Sequence, residues 1–231
     1  MMRHGIRSAL AAVLTVLVLG AAALAVVPFH AFEEALCCIP FEETERILAA
    51  IELGYGQEGF PSEDAFRLVE RLVDHPSPAP EKEGILLALT TALEEGLPVD
   101  DLLNKAFEGL ARGVPLNQID GGLHQRLILL IQVRDLLYAK GIFSVPAGSP
   151  QSVPSALPTL RFNELLTNIA DAVGDHLEGG GSPFDGHILF QHVEERLIAL
   201  QGVTLLQADV ALVLERIEPA DLTHVALAAV S

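Results

Sequence analysis

Tryptophan is absent from this 231-residue chain, aromatic residues make up only 5%, and cysteine occurs just twice, at adjacent positions. Neighbours such as Cys37 and Cys38 diverge on any regular element, so the sequence holds no intrachain disulfide framework and no multi-cysteine metal site. The expectation is two small buried apolar side chains. The functional alternatives are an intermolecular bridge, a strained vicinal pair or an acylation site near a membrane. Positive charge is equally scarce: Lys+Arg total 14 against 31 Asp+Glu, for a net charge of −17. Phosphate-rich partners are repelled by such a surface, which excludes general nucleic-acid binding and disfavours adsorption to anionic lipid. Missing too are sustained strand alternation, a Gly-x-Ser-x-Gly elbow, a phosphate-binding glycine loop and a dinucleotide fingerprint.

What is present begins with an export pattern. Arg3, His4 and Arg7 precede a stretch from Ser8 to Phe32 without Lys, Arg, Asp or Glu, and acid first appears at Glu33 and Glu34. The apolar centre Ala9–Leu24 has the length of a signal-peptide core, and Ala23-Leu24-Ala25 fits the small-x-small cleavage pattern, so cleavage is expected after Ala25. The competing reading is an uncleaved anchor over residues 8–29, because Val26, Val27 and Phe29 prolong the apolar run. Cys37 follows Leu36, where a lipoprotein acceptor calls for a small residue. Both readings place the body across a membrane from the cytosol, either periplasmic or extracellular, or held by its N-terminus.

From Phe41 onward, apolar residues recur at helical spacing and are punctuated by Gly followed two residues later by Pro, a helix stop and the next start. Gly59-Phe60-Pro61, Gly96-Leu97-Pro98 and Gly113-Val114-Pro115 are the clearest cases; Gly141-Ile142 and Gly202-Val203 lack the proline. The pattern predicts an all-α protein with helices near 42–53, 61–74, 81–95, 98–112, 115–140, 158–177, 184–201, 204–217 and 219–230, arranged as a degenerate array of helical hairpins. Ile85–Leu89 and Leu127–Ile131 are apolar all round and should be central. Residues 144–157, rich in Pro, Ser and Gly, read as an exposed linker between helical domains at 26–143 and 158–231, after a 1–25 signal or anchor. Gly179-Gly180-Gly181 should stop one helix, with Ser182 capping the next and Pro183 in its first turn. The apolar end from Leu222 to Val230 should dock on helix 204–217 or on a partner, with Asp221, Thr223 and His224 facing water.

Leu103-Asn104-Lys105, followed by Glu108-Gly109-Leu110-Ala111-Arg112-Gly113-Val114-Pro115, resembles a phrase found in uncharacterised exported bacterial helical proteins. The resemblance covers about 20 of the 231 residues. Those proteins more often carry Lys at the position of Arg112, and the next helix here holds a Gly121-Gly122 pair that weakens its first turns. The resemblance implies a helical, exported protein and brings no activity or catalytic residue.

Chemistry-bearing residues are few. His187, His192, Glu194 and Glu195 crowd one helix, but 187 and 192 are five apart, about 140° around the axis, whereas a two-histidine zinc site on one face needs a spacing of four. A solvated polar face is expected, with His192 and Glu195 on one side. Asp120 with His124, Asp221 with His224, Asp101 with Lys105, and Glu108 with Arg112 have spacings suited to surface pairs. Gly109, inside a helix at a cost of about 1 kcal/mol relative to Ala, implies close crossing by another helix. No catalytic, cofactor-binding or metal residue is assigned. The functional expectation is a non-catalytic exported helical scaffold or adaptor for a protein or peptide partner. The alternatives are a small extracytoplasmic hydrolase or metal-binding protein using His187, His192 and nearby carboxylates, and a membrane-anchored subunit.

Overall fold

A computed structural model of the protein describes residues 26–37, 39–57, 59–142 and 159–230, and all regular structure among them is helical. The helices are α1 (Phe29–Leu36), α2 (Thr44–Tyr55), α3 (Ser62–Asp74), α4 (Ala79–Glu94), α5 (Val99–Ala111), α6 (Leu116–Ala139), α7 (Thr159–Glu178), α8 (Gly186–Leu200), α9 (Gln207–Arg216) and α10 (Pro219–Ala229). The expected signal segment 1–25, with its cleavage site, and the expected linker 144–157 lie outside the described residues. No described helix is long and apolar enough to cross a membrane.

Glycine stops work as the sequence implies. Gly59, Gly96, Gly113, Gly141, Gly180 and Gly202 all have positive φ, the left-handed conformation that ends a helix without a Cβ penalty. After four of them the next amide reaches back to close the last turn: Leu97 N–H donates to Ala92 O at 2.8 Å, Val114 to Gly109 O at 3.0 Å, Ile142 to Leu137 O at 3.0 Å and Gly181 to His176 O at 2.9 Å. Leu97 and Ile142 are buried, so each stop also pins the chain to the core. The prolines sit one place earlier than expected, with Pro61, Pro98 and Pro115 as N-caps rather than first helical residues. Nor does Ser182 cap a helix. Pro183 and Phe184 form a turn, Ser182 Oγ accepts from Phe184 N–H at 3.2 Å, and α8 starts after Asp185.

The sequence pattern does not set helix α1 apart, because its apolar residues read as the tail of the export run. Phe32 and Leu36, four apart, are fully buried, and Phe29 and Phe32 meet Tyr55 edge-on. Tyr55 Oη also donates to the Val27 carbonyl, so residues after Ala25 are built into the folded body. Cys37, expected to be buried, is exposed at the end of this helix, where its Sγ lies 3.1 Å from the Glu34 carbonyl. Cys38 lies outside the described residues.

Packing runs along the chain through α1–α6, each helix touching the next but one: α1 on α3, α2 on α4, α3 on α5 and α4 on α6. The all-round apolar segments are central, with Ile85, Ala88 and Leu130 fully buried; Ile128, at 40% exposure, is the exception. Beyond α6, α7 packs on α6 and α8 on α7. Helix α10 returns to α6 and α8 instead of docking mainly on α9. Its Leu222 and Ala226 are fully buried there. Asp221 does not face water: it accepts from the Glu218 backbone N–H at 2.8 Å and pairs with Lys140, the C-cap of α6, at 2.6 Å. That cross-link adds to the burial of Leu222, Val225 and Ala226 in holding α10 in place.

Candidate functional site

Arg126 immediately precedes the apolar run Leu127–Ile131, and its side chain is only 8% exposed. A buried guanidinium needs several carboxylate or carbonyl partners to offset desolvation. Helix α5 supplies Asp101, gripped by Arg126 Nε at 2.6 Å and Nη2 at 3.2 Å. Helix α7 supplies Asp171, which also accepts from Nη2. The other oxygen of Asp171 accepts from Arg196 of α8, which in turn reaches Asn168 Oδ1 at 3.0 Å and Asp175 Oδ2 at 3.1 Å. An ion ladder Asp101–Arg126–Asp171–Arg196–Asp175 thus ties four helices together, with side-chain exposure rising from 8% at Arg126 to 69% at Asp175. Burial opposes the Arg126 charge, but the Asp101 and Asp171 carboxylates more than offset it and hold its pKa above the ordinary arginine value. Burial pushes the Asp171 carboxyl up, against the pull of Arg126 and Arg196.

Beside this ladder lies a cleft of about 430 Å³ between α5, α6, α7 and the end of α10. Val114, Ile119, Leu123, Leu129, Leu177 and Val230 give it apolar walls, and Lys105, Gln125, Arg126, Asp171, Asp175 and Glu178 supply its polar groups. Glycines shape it in two ways. At Gly109 a Cβ would come within 2.7 Å of Ile119 Cγ1, so the close crossing expected there is made by α6, and a larger residue would displace the Ile119 side chain. At Gly122 a Cβ would meet nothing within 4 Å, and at Gly174 only ordinary contacts, Leu129 Cδ2 at 3.5 Å and Arg126 Nη1 at 3.8 Å. Those two leave open space rather than permit contact. Helix α6 runs unbroken through Gly121-Gly122 despite their low helix propensity. Each of Gly121→Ala and Gly122→Ala is therefore expected to stabilise the protein by about 0.5–1 kcal/mol, read as a raised urea midpoint with unchanged slope.

The histidine-bearing face of α8 is polar, with His187, His192 and Glu195 exposed. His192 and Glu195 do share a groove, with Asp175, Arg196 and His176, whose ring centroid lies 5.6 Å from that of His192. His176 Nε2 is 3.1 Å from the Ser182 carbonyl. His187 is exposed and does not line this groove. No group of three His, Cys, Asp or Glu suited to a metal ion occurs among the described residues. Of the expected surface pairs, Asp120–His124 forms at 2.9 Å and Glu108–Arg112 at 2.6 Å. Asp101–Lys105 is replaced by Asp101–Arg126, and Asp221 pairs with Lys140 instead of His224. Arg126 is the site residue that sequence reasoning missed; the available signal was a cation abutting the apolar run Leu127–Ile131. Compared with known proteins, the chain matches no family model, no curated protein and no solved structure.

Proposed function

We propose that the protein is a non-catalytic helical scaffold or adaptor, acting outside the cytosol, that receives an apolar segment of another protein or peptide. The cleft between α5, α6, α7 and the end of α10 carries this reading. Its volume of about 430 Å³ and mainly apolar walls with a few convergent polar groups have the character of a binding site. Gly122 lines this cleft and puts no side chain into it, which leaves that side of the wall open. Helices packed on the next but one through α1–α6 support the array of hairpins, an architecture suited to extended recognition surfaces. The N-terminal basic, apolar and small-x-small sequence supports export.

The neutral dye N-phenyl-1-naphthylamine, whose emission rises in apolar surroundings, tests the reading. The purified protein should bind it saturably at one site, and Gly122→Trp, which fills the cleft, should remove that binding while far-ultraviolet circular dichroism stays helical. Absence of saturable binding, or equal binding by Gly122→Trp, would refute the cleft as a receiving site.

A further inference from the structure

Charge is unevenly spread along the cleft. Two cations, Lys105 and Arg126, line it against three carboxylates, Asp171, Asp175 and Glu178. The ladder behind the wall leaves that surplus in place, because Asp101 and Arg196 add one charge of each sign. Its inner members are matched: Arg126 lies between Asp101 and Asp171, and Asp171 between Arg126 and Arg196. The surplus falls at the last turn of α7. There Asp175, 69% exposed, shares Arg196 with Asp171, and Glu178, exposed three residues on, has no ion pair among the described residues. Lys105, on α5, pairs with neither. Carbonyl oxygens at the end of a helix carry partial negative charge, so carboxylates in that turn are repelled by them as well as by each other. The basic residue of the turn, His176, is directed to the Ser182 carbonyl, 3.1 Å from its Nε2. A neutral occupant of the cleft would displace water from Asp175 and Glu178 and give them no partner. An anionic occupant would add repulsion from the cleft and from a chain of net charge −17.

We infer that the cleft receives a basic, apolar peptide segment: a large apolar side chain enters between Ile119, Leu123 and Leu129, and a lysine or arginine beside it in sequence meets Asp175 and Glu178. The inference rests on the cleft being the receiving site. Recognition is divided between two helices, with the three apolar residues on α6 and the two carboxylates on α7. A peptide suits this division because neighbouring side chains branch from Cα atoms about 3.8 Å apart, so one can turn to α6 while the next reaches α7. Pairing of opposite charges across the contact supplies the preference for a basic segment over a neutral one.

The chain has no tryptophan, so the emission of a tryptophan peptide reports binding without a label. Acetyl-Ser-Gly-Trp-Leu-Lys-Gly-Lys-amide is titrated with the purified protein, alongside versions with glutamine or glutamate in place of both lysines. The lysine peptide should bind about tenfold more tightly than the glutamine peptide, and the glutamate peptide more weakly than either. Glu178→Gln, an exposed change outside any described ion pair, should weaken the lysine peptide about three- to fivefold and leave the glutamine peptide unaltered. Glu52→Gln, also exposed but on α2, should alter neither; an equal loss there would reduce the preference to the attraction of an acidic chain for any cation and overturn the inference. Equal affinities for the lysine and glutamine peptides, or tighter binding of the glutamate peptide, would also overturn it. Failure of all three peptides while N-phenyl-1-naphthylamine still binds and Gly122→Trp still excludes it would overturn it and leave the cleft reading intact. Loss of dye binding as well would remove both. Decyltrimethylammonium binding more tightly than the lysine peptide, with the same dependence on Glu178, would overturn the peptide assignment.

Discussion

Arg126→Leu is expected to destabilise the protein by about 3–5 kcal/mol, because it strands Asp101 and half of the Asp171 charge in partly desolvated positions. Asp101 is only 13% exposed and has no other cation in the ladder, whereas Asp171 keeps Arg196. The double change Arg126→Leu with Asp101→Leu removes the inner pair together and should recover most of the loss, since an apolar pair of similar volume can replace a buried ion pair at little cost. Urea unfolding of the single and double variants checks this. If Arg126→Leu proves nearly neutral, or if the double variant is less stable than the single, the ladder does not hold α5, α6 and α7 together in the manner described.

Gly186→Ala should cost about 3 kcal/mol or more, opposite in sign to the gains expected at Gly121 and Gly122. Gly186 opens α8, and a Cβ there would stand 2.3 Å from the Pro219 carbonyl oxygen and 2.4 Å from Thr223 Oγ1. A backbone carbonyl cannot swing aside like a flexible side-chain end, so α8 and α10 would have to separate. That movement uncovers Leu222, Val225 and Ala226, which α10 buries. The three alanine variants are chemically identical changes, so their urea midpoints isolate local space: a fall at Gly186 and a rise at Gly121 and Gly122. A rise at Gly186 would contradict the close α8–α10 crossing.

Helix number and extent were largely legible in the sequence because their signals are local. A left-handed glycine followed by an apolar residue and proline fixes a stop and a start within three residues, as at Gly96-Leu97-Pro98. Helix α1 was hidden because the export run supplies the same apolar residues that its buried Phe32 and Leu36 needed to stand out. Pairings failed wherever a distant group outcompeted a near one. Asp101 lies four residues from Lys105 but pairs with Arg126, 25 residues away, and Asp171 is 45 residues from Arg126. No spacing rule reaches so far along the chain. The C-terminal helix illustrates the same limit: its apolar character was plain, but its contacts are with distant residues, among them Lys140 with Asp221. Gly121-Gly122 was visible as a weakness in α6, while the cleft it borders is created by α5, α7 and α10 folding round it.

Methyl NMR with labelled leucine is the most direct measurement of where the protein receives an apolar group. On titration with N-phenyl-1-naphthylamine, the methyl resonances of Leu123, Leu129 and Leu177 should shift together and saturate with one binding constant. Those of Leu68, Leu86 and Leu93, in the α3–α4 region, should stay in place, because the one cavity described there, lined by Leu86 and Leu93, holds only about 20 Å³. Saturable shifts centred on Leu68, Leu86 or Leu93, or no saturable shifts at Leu123, Leu129 and Leu177, would contradict the assignment of the cleft as the binding site.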